Sequence, residues 1–370
     1  MKQKPLRFLA LIACCVILLI SSCKIGRFVI YNFADIKDYK KFPSRPLTSP
    51  ANKFEFNTTE HGKFPKTLNI GEKQTKFETF LAEHKTVAFL IIKNDTIQYE
   101  QYFAGYDKTS IVPSFSMAKS ITSMLIGCAI DDKLIQSVQQ PVTDFIPELK
   151  KNGFDKVSIE NLLQMTSGLK FNEGYTNPFG AVANFYYGRN LRKALRKMKL
   201  ESAPGLKFEY KSGNTELLGL VLERALKNKT ITQYFQEKLW TPLGMEFDAS
   251  WSLDKKKNGL EKTFCCINAR ARDFAKLGRL YLNKGNWNGN QIVSKSWVEQ
   301  STKVDTSNGS AWYYQYQWWL PSKDGDFLAN GILGQYVYVN PAKHIIMVRL
   351  GKSEGKVDWP DIFVTIAKGY

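Results

Sequence analysis

Apolar and polar positions change their rhythm four times along the chain. Phe8 to Ile20 is an unbroken apolar run of 13 residues behind Lys2, Lys4 and Arg7. It is shorter than the ~20 apolar residues that a membrane-spanning helix needs. A polar, proline-containing stretch follows, with Pro43 and Pro46 to Pro50 in it. Thr86 to Ile92 is then β-branched and apolar, Lys93-Asn94-Asp95 has turn chemistry, and Thr96 to Phe103 alternates, which predicts a β-hairpin. From Ser116 the period becomes helical, with Met117, Ile121, Met124, Leu125, Cys128 and Ala129 on one face. Helical segments are predicted as far as Gln300: 159–165, 190–200, 215–225, 231–239, 271–282 and 295–301. Strand character returns at 312–320, 335–340 and 344–350, and 359–367 reads as a closing helix with Pro360 in its first turn. Strands at both ends with helices between them predict one sheet made by the two ends and an all-helical insertion.

Composition agrees with a folded chain: 370 residues, 44% hydrophobic and 23% charged, enough for one large or two ordinary domains. The balance of 52 Lys+Arg against 34 Asp+Glu gives +18. Such a surface attracts polyanions. The segment from Arg189 to Lys199 reads as an amphipathic helix with a basic outer face, and Lys255-Lys256-Lys257 is a second cluster. No nucleic-acid module accompanies the charge, so solvated faces are the expectation and nucleic acid is not an expected partner.

Basic flank, apolar run and the small residues Ser21-Ser22 before Cys23 make an export signal. Ile20-Ser21-Ser22-Cys23 resembles a bacterial lipobox, which implies lipidation of Cys23; an uncleaved signal anchor, favoured by Lys24 and Arg27, is the alternative. Both place the protein in the cell envelope, facing the periplasm or exterior, with membrane lipid held at its N-terminus. The expected organisation is a signal peptide at 1–22, a spacer at 23–70 and a body at 71–370, whose sheet comes from 71–130 and 302–370 and whose helical subdomain is 131–301. Three cysteines remain in the body, too few for a disulfide framework, and adjacent Cys265-Cys266 reads as two buried small hydrophobes.

Hydrolytic chemistry has few places to go. The chain has three histidines, His61, His84 and His344, with no G-x-S-x-G elbow and no H-E-x-x-H zinc pattern. A serine activated by lysine is the remaining candidate. Ser116-Met117-Ala118-Lys119 puts a hydroxyl at a helix start and an amine one turn later on the same face. Burial would lower the lysine pKa so that it can take the serine proton. The bare S-x-x-K pattern also occurs at Ser21, Ser167, Ser252 and Ser353, so context decides.

The context is Tyr210-Lys211-Ser212-Gly213-Asn214 and then Gly331-Ile332-Leu333-Gly334-Gln335, in that order after Ser116. The order S-x-x-K, tyrosine motif, K-T-G-like strand resembles the serine β-lactamase and penicillin-binding-protein superfamily. Further stretches look like its β-lactamase-related hydrolases: 160–169, Thr241-Pro242-Leu243-Gly244-Met245, and 269–282. Phe171 to Pro178, the Tyr-x-Ser-x-Asn form at Tyr210 and Gly334-Gln335-Tyr336 resemble the 6-aminohexanoate-oligomer hydrolase and esterase branch.

The resemblance implies an α/β fold, a mainly antiparallel sheet flanked by helices with an inserted all-α subdomain, and no cofactor or metal. It implies Ser116 as the acylated nucleophile, Lys119 as its base and Tyr210 as the relay to the leaving group. Backbone N–H groups of Ser116 and Gln335 would form the oxyanion hole, and Tyr175, Ser212, Asn214, Leu333 and Gly334 would meet the substrate, a small ester or amide. One departure matters. Transpeptidases open the third motif with a cation for the substrate carboxylate, and here Ile332 and Leu333 stand there. A lost charge-assisted hydrogen bond is worth ~1.5–3 kcal/mol, which argues against penicillin as substrate. A DD-peptidase or β-lactamase, and a non-catalytic basic envelope-binding protein, are the two alternatives.

Overall fold

The computed structural model describes residues 33–370 except Glu72, Thr176, Pro178 and Phe179. The expected signal peptide and Cys23 lie outside the described residues. No helix among the described residues is long and apolar enough to cross a membrane.

The elements run β1 (Ser44–Leu47), β2 (Asn57–Thr58), β3 (Thr67–Ile70), β4 (Lys73–Lys76), α1 (Phe77–Glu83), β5 (Thr86–Lys93), β6 (Thr96–Tyr102), β7 (Val112–Pro113) and α2 (Met117–Asp131). The middle of the chain gives α3 (Ile159–Leu163), α4 (Ala181–Tyr187), α5 (Leu191–Leu195), α6 (Ser212–Leu226), α7 (Ile231–Phe235), β8 (Ala249–Ser252), β9 (Ile267–Ala269) and α8 (Ala271–Leu282). Then come β10 (Asn286–Trp287), β11 (Asn290–Gln291), α9 (Lys295–Thr302), β12 (Tyr314–Gln315), β13 (Trp318–Trp319), β14 (Phe327–Gly331), β15 (Gln335–Asn340), β16 (Ile345–Gly351) and α10 (Trp359–Lys368).

The main sheet has the order β12-β13-β14-β15-β16-β5-β6-β2. Its pairs are antiparallel except β2 with β6. Both faces are covered, because side chains alternate across a strand. Phe89, Ile91, Tyr336, Tyr338 and Met347 pack under α1 and α10 with Phe77, Phe80, Trp359 and Phe363. Their neighbours Leu90, Ile92, Val337, Val339, Ile346 and Val348 face the larger core. On that side α8 packs on β15 and β16, and α2 packs between β14 and α6. Every residue of α2 from Met117 to Ala129 is buried, a pattern of all-round contact that a single apolar stripe does not foresee.

Three expected boundaries need correction. The spacer at 23–70 is, in its described part, built into the body: β1 pairs with β8, and Ile36, Leu47 and Phe56 are buried. Its prolines and polar residues hid a few well-spaced apolar anchors. The helical subdomain does not extend to 301. Residues 249–269 supply β8 and β9 of a second sheet, order β1-β8-β9-β7, and α8 belongs to the main sheet. Helical periodicity reports an element's type and leaves open which layer it joins. The basic helix expected at 190–200 is the short α5, with Leu191 and Leu195 buried and Arg192 hydrogen-bonded to Glu223.

Cys265 and Cys266 are both buried, but they are joined as a disulfide between neighbours. The expectation of two independent apolar side chains missed this, because counting cysteines tests for loop-closing frameworks and not for adjacent pairs.

Candidate active site

Ser116 sits where β7 turns into α2. The turn is held tightly: Ser114 donates its backbone N–H to the Ile267 carbonyl at 2.7 Å, and the Ile267 N–H returns to Ser114 Oγ at 3.0 Å. Phe115 takes a φ of 43°, a sparsely populated region for a large side chain, which lifts the following serine out of the strand. Gly331 at the end of β14 abuts this turn. A Cβ at position 331 would lie 2.4 Å from the Ser114 oxygen and 3.0 Å from the Ser116 nitrogen. Glycine is what allows sheet and turn to touch.

Lys119, one turn into α2, is 1% exposed. Its Nζ lies 2.8 Å from Ser116 Oγ and 3.0 Å from the Phe264 carbonyl oxygen. It also lies 5.0 Å from the centre of the Tyr210 ring. Burial pulls the amine down to about 8, against the opposing charges of Glu173 and Glu216. Tyr210 precedes α6 and is walled by Trp319 and Tyr314, ring centres 5.4 and 5.9 Å away. Burial, then the charge of Glu173, push its phenol above the usual range, while hydrogen bonding with Ser116 pulls it down.

The structure therefore brings Ser116, Lys119 and Tyr210 together, and Ser116 opens onto a cleft of about 430 Å³. Tyr175, Ser212 and Leu333 line it too, with Ile332, Phe264 and Cys265. Two other residues expected to meet the substrate are placed elsewhere. Asn214 is buried behind the cleft, hydrogen-bonded to Ser167 and Met165. Gly334 turns away from it, at φ 80°, and gives its carbonyl to Arg349 at 2.7 Å. A Cβ at 334 would fall 1.8 Å from Arg349 Nη1, so glycine at this position makes room for the arginine. Gln335 opens β15 directly opposite Gly331, with its side chain buried and tied to Gly351. Trp318 packs in the core, and Trp319 backs the cleft through Tyr210.

Residues without an assigned role in the sequence reading also shape the site. Glu173 accepts the Ser212 N–H at 2.7 Å, the Ser212 hydroxyl at 2.5 Å and the Tyr175 phenol at 2.9 Å. A carboxylate is favoured there, at the N-terminus of α6. Glu216, within α6, is fully buried and accepts from Thr263 N, Thr263 Oγ1 and Phe264 N. The signal for Glu216 was present: it is an acidic residue among Leu217, Leu218, Leu220 and Val221 in a helix that must be buried. The Phe264 carbonyl had none, since backbone atoms carry no sequence signature.

A half-buried hydroxyl, a buried amine and a phenol meeting between an antiparallel sheet and a helical layer define the class of penicillin-recognising serine enzymes and their hydrolase relatives. The chain belongs to the β-lactamase family, whose description matches residues 74–368. In sequence it is 28% identical over 306 residues to the 6-aminohexanoate-dimer hydrolase of Paenarthrobacter ureafaciens, covering 77% of this chain and 75% of that one. In structure it resembles a protein described as "Putative 6-aminohexanoate-dimer hydrolase from Bacillus anthracis", with a TM-score of 0.80 at 24% identity over 92% and 94% of the two chains. It also resembles a family VIII carboxylesterase, with a TM-score of 0.59 at 18% identity over 75% and 89%. These structural likenesses establish the fold, the scaffold of the β-lactamase family.

Proposed function

We propose that the protein hydrolyses a small ester or amide through an acyl-enzyme on Ser116. The observation that carries this reading is the 2.8 Å approach of the buried Lys119 amine, held near 8, to Ser116 Oγ. The neutral amine takes the hydroxyl proton as Oγ adds to the carbonyl carbon. The oxyanion forms at the N-terminus of α2, facing the backbone N–H of Ser116. Collapse breaks the bond to the leaving oxygen or nitrogen, which takes a proton through Tyr210. Water then attacks the acyl group, and the serine proton is restored from Lys119.

Ile332, Leu333, Phe115 and Val182 make most of the cleft wall apolar, with Glu354 and Lys356 the charged residues on it, which suits an aliphatic or aromatic substrate body. The basic N-terminus, apolar run and Cys23 support export and tethering in the envelope. The disulfide supports the same placement, since such bonds persist in oxidising compartments.

Incubation with a fluorophosphonate probe followed by intact-mass measurement tests the reading. One adduct on the wild type and none on Ser116→Ala is expected. A wild type that takes no adduct would overturn it.

A further inference from the structure

Lys119 is the group whose proton the proposed chemistry must move, and a second buried ionisable group stands behind it. Glu216 belongs to α6, and its carboxylate accepts three hydrogen bonds from two consecutive residues: Thr263 N at 2.8 Å, Thr263 Oγ1 at 2.9 Å and Phe264 N at 3.4 Å. The carbonyl of that same Phe264 receives the Lys119 amine at 3.0 Å. One peptide segment thus connects the carboxylate to the amine. Glu216 Oε1 has no hydrogen-bond partner among the described residues, although the residue is fully buried. A purely structural site would favour an amide or an apolar residue there, because an ionised carboxylate without full solvation is unfavourable in the interior.

We propose that Glu216 is a positioning residue for Lys119. It clamps the Thr263–Phe264 segment so that the Phe264 carbonyl orients the amine toward Ser116, and its charge sets the pH at which Lys119 gives up its proton. The inference rests on the serine-hydrolase reading above and deepens it. Lys119 is faced by the Ser116 hydroxyl on its own helix, Tyr210 before α6, Glu173 after α3, Glu216 on α6 and the Phe264 carbonyl. Glu216 is itself faced by Thr263 and Phe264 and feels the charge of Asp254. Burial raises its carboxyl to about 8, so the carboxyl and the Lys119 amine titrate in the same range. A negative charge near Lys119 stabilises the ammonium; removing it makes the neutral amine available at lower pH.

The test is the pH dependence of the rate of fluorophosphonate acylation, measured on the whole protein. Glu216→Gln keeps an oxygen for the three donors and removes the charge. Its rising limb is expected to move to lower pH, by less than about one unit because the Glu216 charge is itself only partly formed across that range, while its plateau stays near wild type. Glu216→Ala also releases the segment and is expected to lower the plateau by ~10-fold or more. Thr263→Val removes the hydroxyl that supports the Glu216 charge while keeping the side-chain shape, and its limb is expected to shift in the same direction by less. A Glu216→Gln limb superimposed on wild type overturns the inference and leaves Glu216 a structural residue. Should that variant fail to fold, a Thr263→Val limb superimposed on wild type overturns it equally. A wild type that reacts at no pH removes the serine-hydrolase reading itself, and this inference with it.

Discussion

Gly331→Ala isolates the contact between the main sheet and the turn that carries Ser116. The added Cβ would lie 2.4 Å from the Ser114 carbonyl oxygen and 3.0 Å from the Ser116 nitrogen, both backbone atoms that no rotamer change can move. Ordinary van der Waals contact begins near 3.4 Å, so β14 and the turn must part by about 1 Å. Overpacking of this kind destabilises by ~1–3 kcal/mol. A misplacement of ~1 Å at a reacting group lowers the rate by ~10²-fold. The assay is the second-order rate of fluorophosphonate acylation beside urea unfolding. Gly62→Ala is the control: its Cβ would lie 1.9 Å from the Gln98 carbonyl oxygen, on β6 and outside the cleft lining. Both variants should lose stability, and Gly331→Ala alone should lose reactivity. A Gly331→Ala protein that reacts at the wild-type rate, or a Gly62→Ala protein that slows equally, would refute the claim that this contact positions the nucleophile.

The sequence displayed the parts of the site that consist of side chains in ordered motifs. Ser116, Lys119 and Tyr210 were singled out by the resemblance of their ordered motifs, since the bare S-x-x-K spacing recurs at Ser21, Ser167, Ser252 and Ser353. The hairpin β5–β6 and the strands β15 and β16 were legible from alternation, and α10 from Pro360 in its first turn. Other features are set by tertiary contact. Asn214 shares the tyrosine motif with Ser212, yet only Ser212 lines the cleft, because the turn into α6 points the two residues to opposite sides. Gly334 looked like a substrate-facing glycine and is a seat for Arg349, 15 residues away on β16. The strand β14 was not predicted as a strand, since only five residues separate Phe327 from its terminal Gly331 inclusive and the segment contains Asn330. The lining role of Cys265 and the Phe264 carbonyl depends on how 262–267 folds against α2, and no local pattern encodes that.

The remaining predictions concern charge and the architecture around the cleft. Acylation should rise with pH through about 8 as Lys119 loses its proton. Because the folded-state value lies below the ordinary 10.5, the unfolded chain binds more protons between about 8 and 10.5, and this group's contribution to stability grows as pH rises through that window. Lys119→Met should abolish acylation at every pH without lowering the melting temperature at pH 7; a reactive variant would show that another group takes the serine proton. Ile332→Lys adds a cation at the third-motif position, beyond the Lys356 that the cleft wall already carries, and should speed acylation by penicillin about 10- to 100-fold, as one charge-assisted hydrogen bond allows. An unchanged rate, followed by mass spectrometry, would mean that the wall does not receive a substrate carboxylate. The peptide containing Cys265 and Cys266 should take up two alkyl groups only after reduction; alkylation without reductant would contradict the disulfide. Arg349 is buried in the sheet and donates to the carbonyls of Gly334, His84 and Ser353 and to Thr86 Oγ1, with its guanidinium 3.7 Å from the centre of the Trp359 ring. Lysine cannot reproduce that planar fork. Arg349→Lys leaves buried acceptors unpaired and should cost about 2–4 kcal/mol in urea unfolding. Because the Gly334 carbonyl belongs to the turn between β14 and β15, acylation should slow along with it. Lost stability with an unchanged acylation rate would show that the turn keeps its position without the arginine.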